Sequence, residues 1–145
     1  MSAITLDVQS LLRAAAAVQM AVAVLNLRLV RLLKWEDSLE QLPLLLRQVF
    51  TVHLWFISLT VAIFGVMTWR FGAIMAAGSD PACAWLSGAI GLFWGLRAVI
   101  QIAYYSPSHW RGHTGRTIVN IGCLVVYGGM SFVYLLATAR SWQAL

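Results

Sequence analysis

Apolar positions dominate the chain in four blocks, each long enough to cross a bilayer as a helix. The blocks cover residues 11–33, 44–69, 85–105 and 118–139 and are between 21 and 26 residues long. About 20 predominantly apolar residues are needed to span the hydrocarbon core as an α-helix. The sequence therefore predicts four transmembrane helices.

Short polar segments separate these blocks and contain residues that are typical of turns. Pro43, Gly78, Pro81 and Pro107 all lie in them, and proline is tolerated at a helix start but not in a helix interior. Connections this short place consecutive helices side by side in opposite directions. We expect an all-α polytopic membrane protein in which residues 1–145 form a single domain, a compact bundle of four antiparallel helices.

The composition agrees with a membrane location. Hydrophobic residue types make up 61% of the chain, charged residues make up 10%, and the mean hydropathy is +0.80. A soluble domain is about half apolar and a quarter charged. The net charge of +5 arises from only ten basic and five acidic residues, so we expect membrane lipids and no nucleic acid as partners. The two cysteines form no CxxC motif, which argues against thiol-disulfide chemistry.

The distribution of Lys and Arg predicts an orientation. Six of these residues flank the first-to-second and third-to-fourth connections, whereas three flank the opposite side. The six are Arg28, Arg31, Lys34, Arg47, Arg111 and Arg116, and the three are Arg13, Arg70 and Arg140. Because basic residues accumulate on the cytoplasmic side, we expect loops 34–43 and 106–117 inside and both termini outside. We expect the membrane to be a bacterial inner membrane.

Polar and aromatic side chains also fall inside the spans, in the half that we expect to lie on the inner side. Helical spacing places them on one face of the third and one face of the fourth helix. They are Trp94, Arg97, Gln101 and Tyr104 on the third, and Asn120 and Tyr127 on the fourth. Because a polar side chain in a span is costly, it faces neighbouring helices or a wet cavity. The sequence therefore predicts a polar seam.

Arg97 has two interpretations. A guanidinium keeps its proton, so inside a membrane it needs an anion, neutral acceptors, an aromatic face or a path to water. It can form an internal lock with Gln101, Tyr104 and Asn120. Alternatively, it binds a phospholipid headgroup, an isoprenoid phosphate, a fatty-acid carboxylate or a haem propionate, with Trp94 and the tyrosines beside the tail.

His53 is the only histidine at membrane depth. Imidazole titrates near physiological pH, which makes this residue the candidate acid/base for a quinone or a proton path. Haem would need a second axial ligand, and only a methionine such as Met20 or Met130 is placed to supply it. His109 and His113 lack a third ligand, so we predict no metal site.

Small residues in the last two spans predict close helix contacts. Ser87, Gly91 and Gly95 recur every four residues in the third span, and Gly128 and Gly129 lie together in the fourth. Such residues let helix backbones approach closely, either within one chain or between chains. We therefore expect other membrane subunits or a second copy of the chain as partners.

These patterns favour a non-enzymatic membrane protein, because no set of nucleophile, base and acid is present. It would be a subunit of an assembly or would bind an anionic amphipathic ligand at the seam, with His53 beside the six seam residues. The alternative is a membrane-embedded enzyme acting on a lipid or quinone, with His53 as acid/base, Arg97 as anion clamp, and Tyr104 or Tyr127 as proton donor. The third hypothesis is a transporter that acts as a dimer.

Overall fold

The computed structural model describes residues 7–32, 34–104 and 114–144, and every regular element in these ranges is a helix. The helices are α1 (Val8–Leu32), α2 (Glu36–Glu40), α3 (Leu44–Ala77), α4 (Pro81–Ala103) and α5 (Thr114–Ala144). The four long ones are long and apolar enough to cross a membrane. The predicted all-α membrane fold with four spanning helices is confirmed.

The connection between α3 and α4 is shorter than the sequence indicated, because both helices extend into it. α3 continues past the predicted end at residue 69 as far as Ala77, and Gly78 then adopts a positive φ of 67°. The Asp80 side chain caps α4 by accepting a hydrogen bond from the Cys83 backbone N–H at 3.0 Å, with Pro81 in the first turn. Glycine in this conformation ends a helix, and aspartate followed by proline begins one.

The first connection contains an element that the sequence did not predict. Residues 34–43 were expected to form a turn, yet α2 forms one short exposed helix there. Glu36 and Asp37 occupy its first turn, where acidic side chains stabilise the positive end of the helix dipole.

The second predicted loop lies largely outside the described residues, and this includes His109, Arg111 and His113.

The chain divides into two compact units, the first of which comprises residues 13–70. In it, α1 packs against α3 in an antiparallel pair. A Cβ on Gly65 would lie 3.0 Å from Met20 Sδ, and the Asn26 side-chain amide donates to Ser58 Oγ at 2.8 Å. Because the position along α1 rises as the position along α3 falls, the two helices run in opposite directions.

The second unit comprises residues 1–12 and 71–145, and the α4/α5 pair lies in it. Trp94 and Ile90 of α4 and Tyr134 of α5 are almost completely buried. A Cβ on Gly91 would lie 3.0 Å from Leu135 Cγ of α5. The small-residue contact predicted for the third span is therefore an internal contact between α4 and α5.

Candidate functional site

Five of the seven predicted site residues lie together between α4 and α5. Trp94, Arg97 and Gln101 lie on one face of α4, three and four residues apart, as the helical period requires. Asn120 and Tyr127 lie on the facing side of α5. The antiparallel arrangement sets Gln101 opposite Asn120 and Trp94 opposite Tyr127. We call these five residues the Arg97 site.

A chain of hydrogen bonds crosses the Arg97 site. Arg97 Nη1 donates to Gln101 Oε1 at 3.4 Å, and Gln101 Nε2 donates to Asn120 Oδ1 at 2.7 Å. Only 7% of the Gln101 surface is exposed, and its amide carries both an acceptor and a donor. Gln101 therefore links the cation on α4 to an acceptor on α5.

Aromatic rings form the other wall of the site. Arg97 Cζ lies 5.0 Å from the centroid of the Tyr127 ring, which is the geometry of a cation–π contact. The Trp94 ring stacks on Tyr127 at a centroid distance of 5.5 Å. The buried Trp94 Nε1 has no hydrogen-bond partner among the residues that the structure describes. A buried N–H without an acceptor is costly.

Arg97 brings a positive charge to the site, and α4 and α5 contain no Asp or Glu. Among its contacts are two neutral groups, the Gln101 amide and the Tyr127 ring. Arginine stays protonated in proteins. The site can therefore attract an oxyanion and donate hydrogen bonds to it.

The other two predicted site residues lie elsewhere. Tyr104 follows the last residue of α4 and is 83% exposed. His53 belongs to the unit of residues 13–70, where its exposed ring has Nδ1 3.1 Å from the Val49 carbonyl oxygen of the preceding helical turn. The contacts shown for His53 are thus local to α3.

One feature of the Arg97 site depends on details beyond residue spacing. The Trp94 N–H, which has no acceptor among the described residues, follows from the side-chain conformation, for which the sequence carries no signal.

Compared with protein families, curated proteins and solved structures, the chain matches none of them. Four candidate spanning helices make this a small integral membrane protein.

Proposed function

We propose that this integral membrane protein binds an anionic amphipathic ligand at the Arg97 site. The observation that supports the proposal is a permanent cation inside a spanning helix, beside the stacked rings of Tyr127 and Trp94. An oxyanion would accept a hydrogen bond from the guanidinium, and the tail would pack beside the rings. Charge-assisted hydrogen bonds of this kind are the strongest that side chains make.

The ligand is defined by a phosphate or carboxylate head and an apolar tail. Arg97 lies six residues before the end of α4, which corresponds to about 9 Å along the helix. A headgroup at the membrane surface can reach this depth. The tail would extend deeper into the membrane along α4, where Leu96 and Leu92 are exposed.

The test compares two substitutions that remove different parts of the site. Arg97→Gln removes the charge, whereas Asn120→Leu removes the acceptor on α5 and keeps the cation. Native mass spectrometry of detergent-purified protein would measure the bound phospholipid and fatty acid separately. We expect Arg97→Gln to lower the anionic ligand content about tenfold or more, because a hydrogen bond to a charged group contributes about 1.5–3 kcal/mol. Asn120→Leu should leave the content within about twofold.

The internal-lock interpretation predicts a different result. If Arg97 serves only to join the helices, both variants lose stability and neither changes the ligand content. Unchanged ligand content in a folded Arg97→Gln protein would therefore refute the binding proposal. A phosphate-bearing species lost on substitution identifies a lipid headgroup, and a fatty acid lost on substitution identifies a carboxylate.

Membership in a larger assembly stays a prediction. In the described part of the chain, no atom lies within 4 Å of a Cβ built on Gly122, Gly128 or Gly129 of α5. Gly122 and Gly129, seven residues apart, lie on one face, which offers the close approach that helix association in membranes uses. We propose a second copy of the chain as the partner. Light scattering in detergent should give a dimer mass for the natural protein and a monomer mass for Gly129→Leu, with Val125→Leu as the matched control. A natural protein that is monomeric refutes this proposal.

A further inference from the structure

Two adjoining apolar cavities form a groove along the α1/α3 pair, within the unit of residues 13–70. The first measures about 420 Å³ and the second about 210 Å³, and Met20 lines both. The first ends at Trp69 and Arg70, and the second continues to Leu27 and Trp55. We call these two cavities the α1/α3 groove.

The groove exists because small residues lie between large ones. At Gly65 a Cβ would lie 3.0 Å from Met20 Sδ and 3.3 Å from the Ala16 carbonyl oxygen, so α1 and α3 are in close contact there. Val66 and Trp69 are 59% and 69% exposed and stand out beside this contact. The first cavity lies beside this contact, where the small Ala16, Ala17 and Gly65 alternate with larger side chains.

The length of the groove matches a lipid chain. Trp55 and Arg70 are fifteen residues apart on α3, which corresponds to about 22 Å. One leaflet contributes about half of the 30 Å hydrocarbon core, or about 15 Å. The groove is therefore long enough for one acyl chain that crosses a leaflet.

One end of the groove carries positive charge. The exposed Arg70 lines the first cavity. The exposed Arg13 lies four and seven residues before Ala17 and Met20 on α1, and this spacing places it on the groove face at the same end. Trp69 has the amphipathic ring that is enriched at the level of headgroups.

We propose that the α1/α3 groove binds one acyl chain of an anionic phospholipid, with the phosphate held by Arg70 and Arg13. The groove is apolar along its length and cationic at this end, which is the complement of an anionic lipid. Basic residues at the membrane surface attract such lipids. This site consists of other residues than the Arg97 site and does not depend on the function proposed above.

The proposal can be tested by photo-crosslinking in nanodiscs. The protein would be reconstituted with a trace of phosphatidylglycerol carrying a diazirine in its acyl chain, or with the corresponding phosphatidylcholine. Labelled residues would be identified by peptide mass spectrometry. We expect phosphatidylglycerol to label residues 16–20 and 65–66 several times more than phosphatidylcholine does. Equal labelling by the two lipids in the natural protein overturns the proposal.

Variants identify the groups responsible. The double variant Arg13→Gln/Arg70→Gln should remove the preference for phosphatidylglycerol, so that the two lipids label residues 16–20 and 65–66 about equally, because the two arginines supply the attraction to the anionic headgroup. The matched control, Arg28→Gln/Arg31→Gln, removes the same charge from the part of α1 beyond the groove, where these arginines line a separate cavity. An equal loss in both double variants shows general charge attraction and overturns the proposal.

A third variant tests the groove itself. Ala17→Leu fills the first cavity and keeps both arginines, so labelling at residues 65–66 should fall for both lipids. Unchanged labelling in this variant contradicts an acyl chain in the groove. Arg97→Gln should leave labelling of α1 and α3 unchanged, which separates this result from the test of the Arg97 site.

Discussion

The contact between α4 and α5 at Gly91 gives a sharp prediction for Gly91→Ala. The new Cβ would lie 3.0 Å from Leu135 Cγ, 3.1 Å from its Cδ2 and 3.2 Å from its backbone nitrogen. A backbone nitrogen cannot move aside by a side-chain rotation, so relief of the clash requires α5 to shift. That shift also strains the hydrogen bond from Ser131 Oγ to the Gly91 carbonyl oxygen.

Gly88 is a matched control one turn earlier on the same helix. A Cβ at Gly88 would lie 3.6 Å from Thr138 Cγ2, which is ordinary van der Waals contact. Both substitutions gain up to about 1 kcal/mol of helix propensity, whereas only Gly91→Ala incurs the overpacking cost of about 1–3 kcal/mol. We expect Gly91→Ala to be less stable than Gly88→Ala by about 1–3 kcal/mol.

The free energy of unfolding can be measured by titrating the purified protein in mixed micelles with sodium dodecyl sulfate. The fluorescence of the seven tryptophans, which include Trp94 at the α4/α5 contact with 2% exposure, follows unfolding, and circular dichroism checks that helix content is retained. If Gly91→Ala proves as stable as Gly88→Ala, the close approach of the two helices is refuted.

Three further predictions concern other parts of the chain. In a cysteine-free background, a cysteine at Ser79 should react with an impermeant thiol reagent in intact cells and one at Ser38 should not; the reverse pattern contradicts the predicted orientation. Asn26→Leu removes the bond to Ser58 and should lower the free energy of unfolding by about 0.6 kcal/mol in the same titration. His53→Gln replaces the imidazole with an amide that cannot exchange a proton at physiological pH; the variant should complement a gene deletion at all pH values, and pH-dependent failure at normal stability would support the enzyme alternative.

The fold could be predicted because the length of an apolar block directly decides whether it spans a membrane. Helix ends were less predictable. The apolar run continues past Trp69 to Ala77, and a tryptophan followed by Arg70 resembles a membrane interface whether or not the helix stops there. The end of α3 is set by the backbone conformation of Gly78, and the start of α4 is set by the cap at Asp80. Both are local effects that hydropathy does not measure.

Helical spacing explains which part of the Arg97 site could be predicted. Trp94, Arg97 and Gln101 share a face of α4 because of their spacing alone. Their partners on α5 depend on how the two helices are aligned, which the sequence indicated only through a second polar stripe. Tyr104 belonged to the same predicted stripe, but it lies past the last helical residue and its side chain is 83% exposed. Helical spacing therefore does not predict the position of a side chain beyond the last helical residue.

The distances within the Arg97 site indicate that a lock and a binding site are compatible there. The 2.7 Å bond from Gln101 to Asn120 joins the two helices, whereas the hydrogen bond from Arg97 to Gln101 is longer, at 3.4 Å, and therefore weaker. An oxyanion would accept a hydrogen bond from Arg97 that is about twice as strong as one to a neutral amide. Formation of this bond leaves the Gln101–Asn120 bond between the helices intact. The two roles therefore separate by residue: Asn120→Leu should lower stability more than Arg97→Gln, and Arg97→Gln should lower ligand content more than Asn120→Leu.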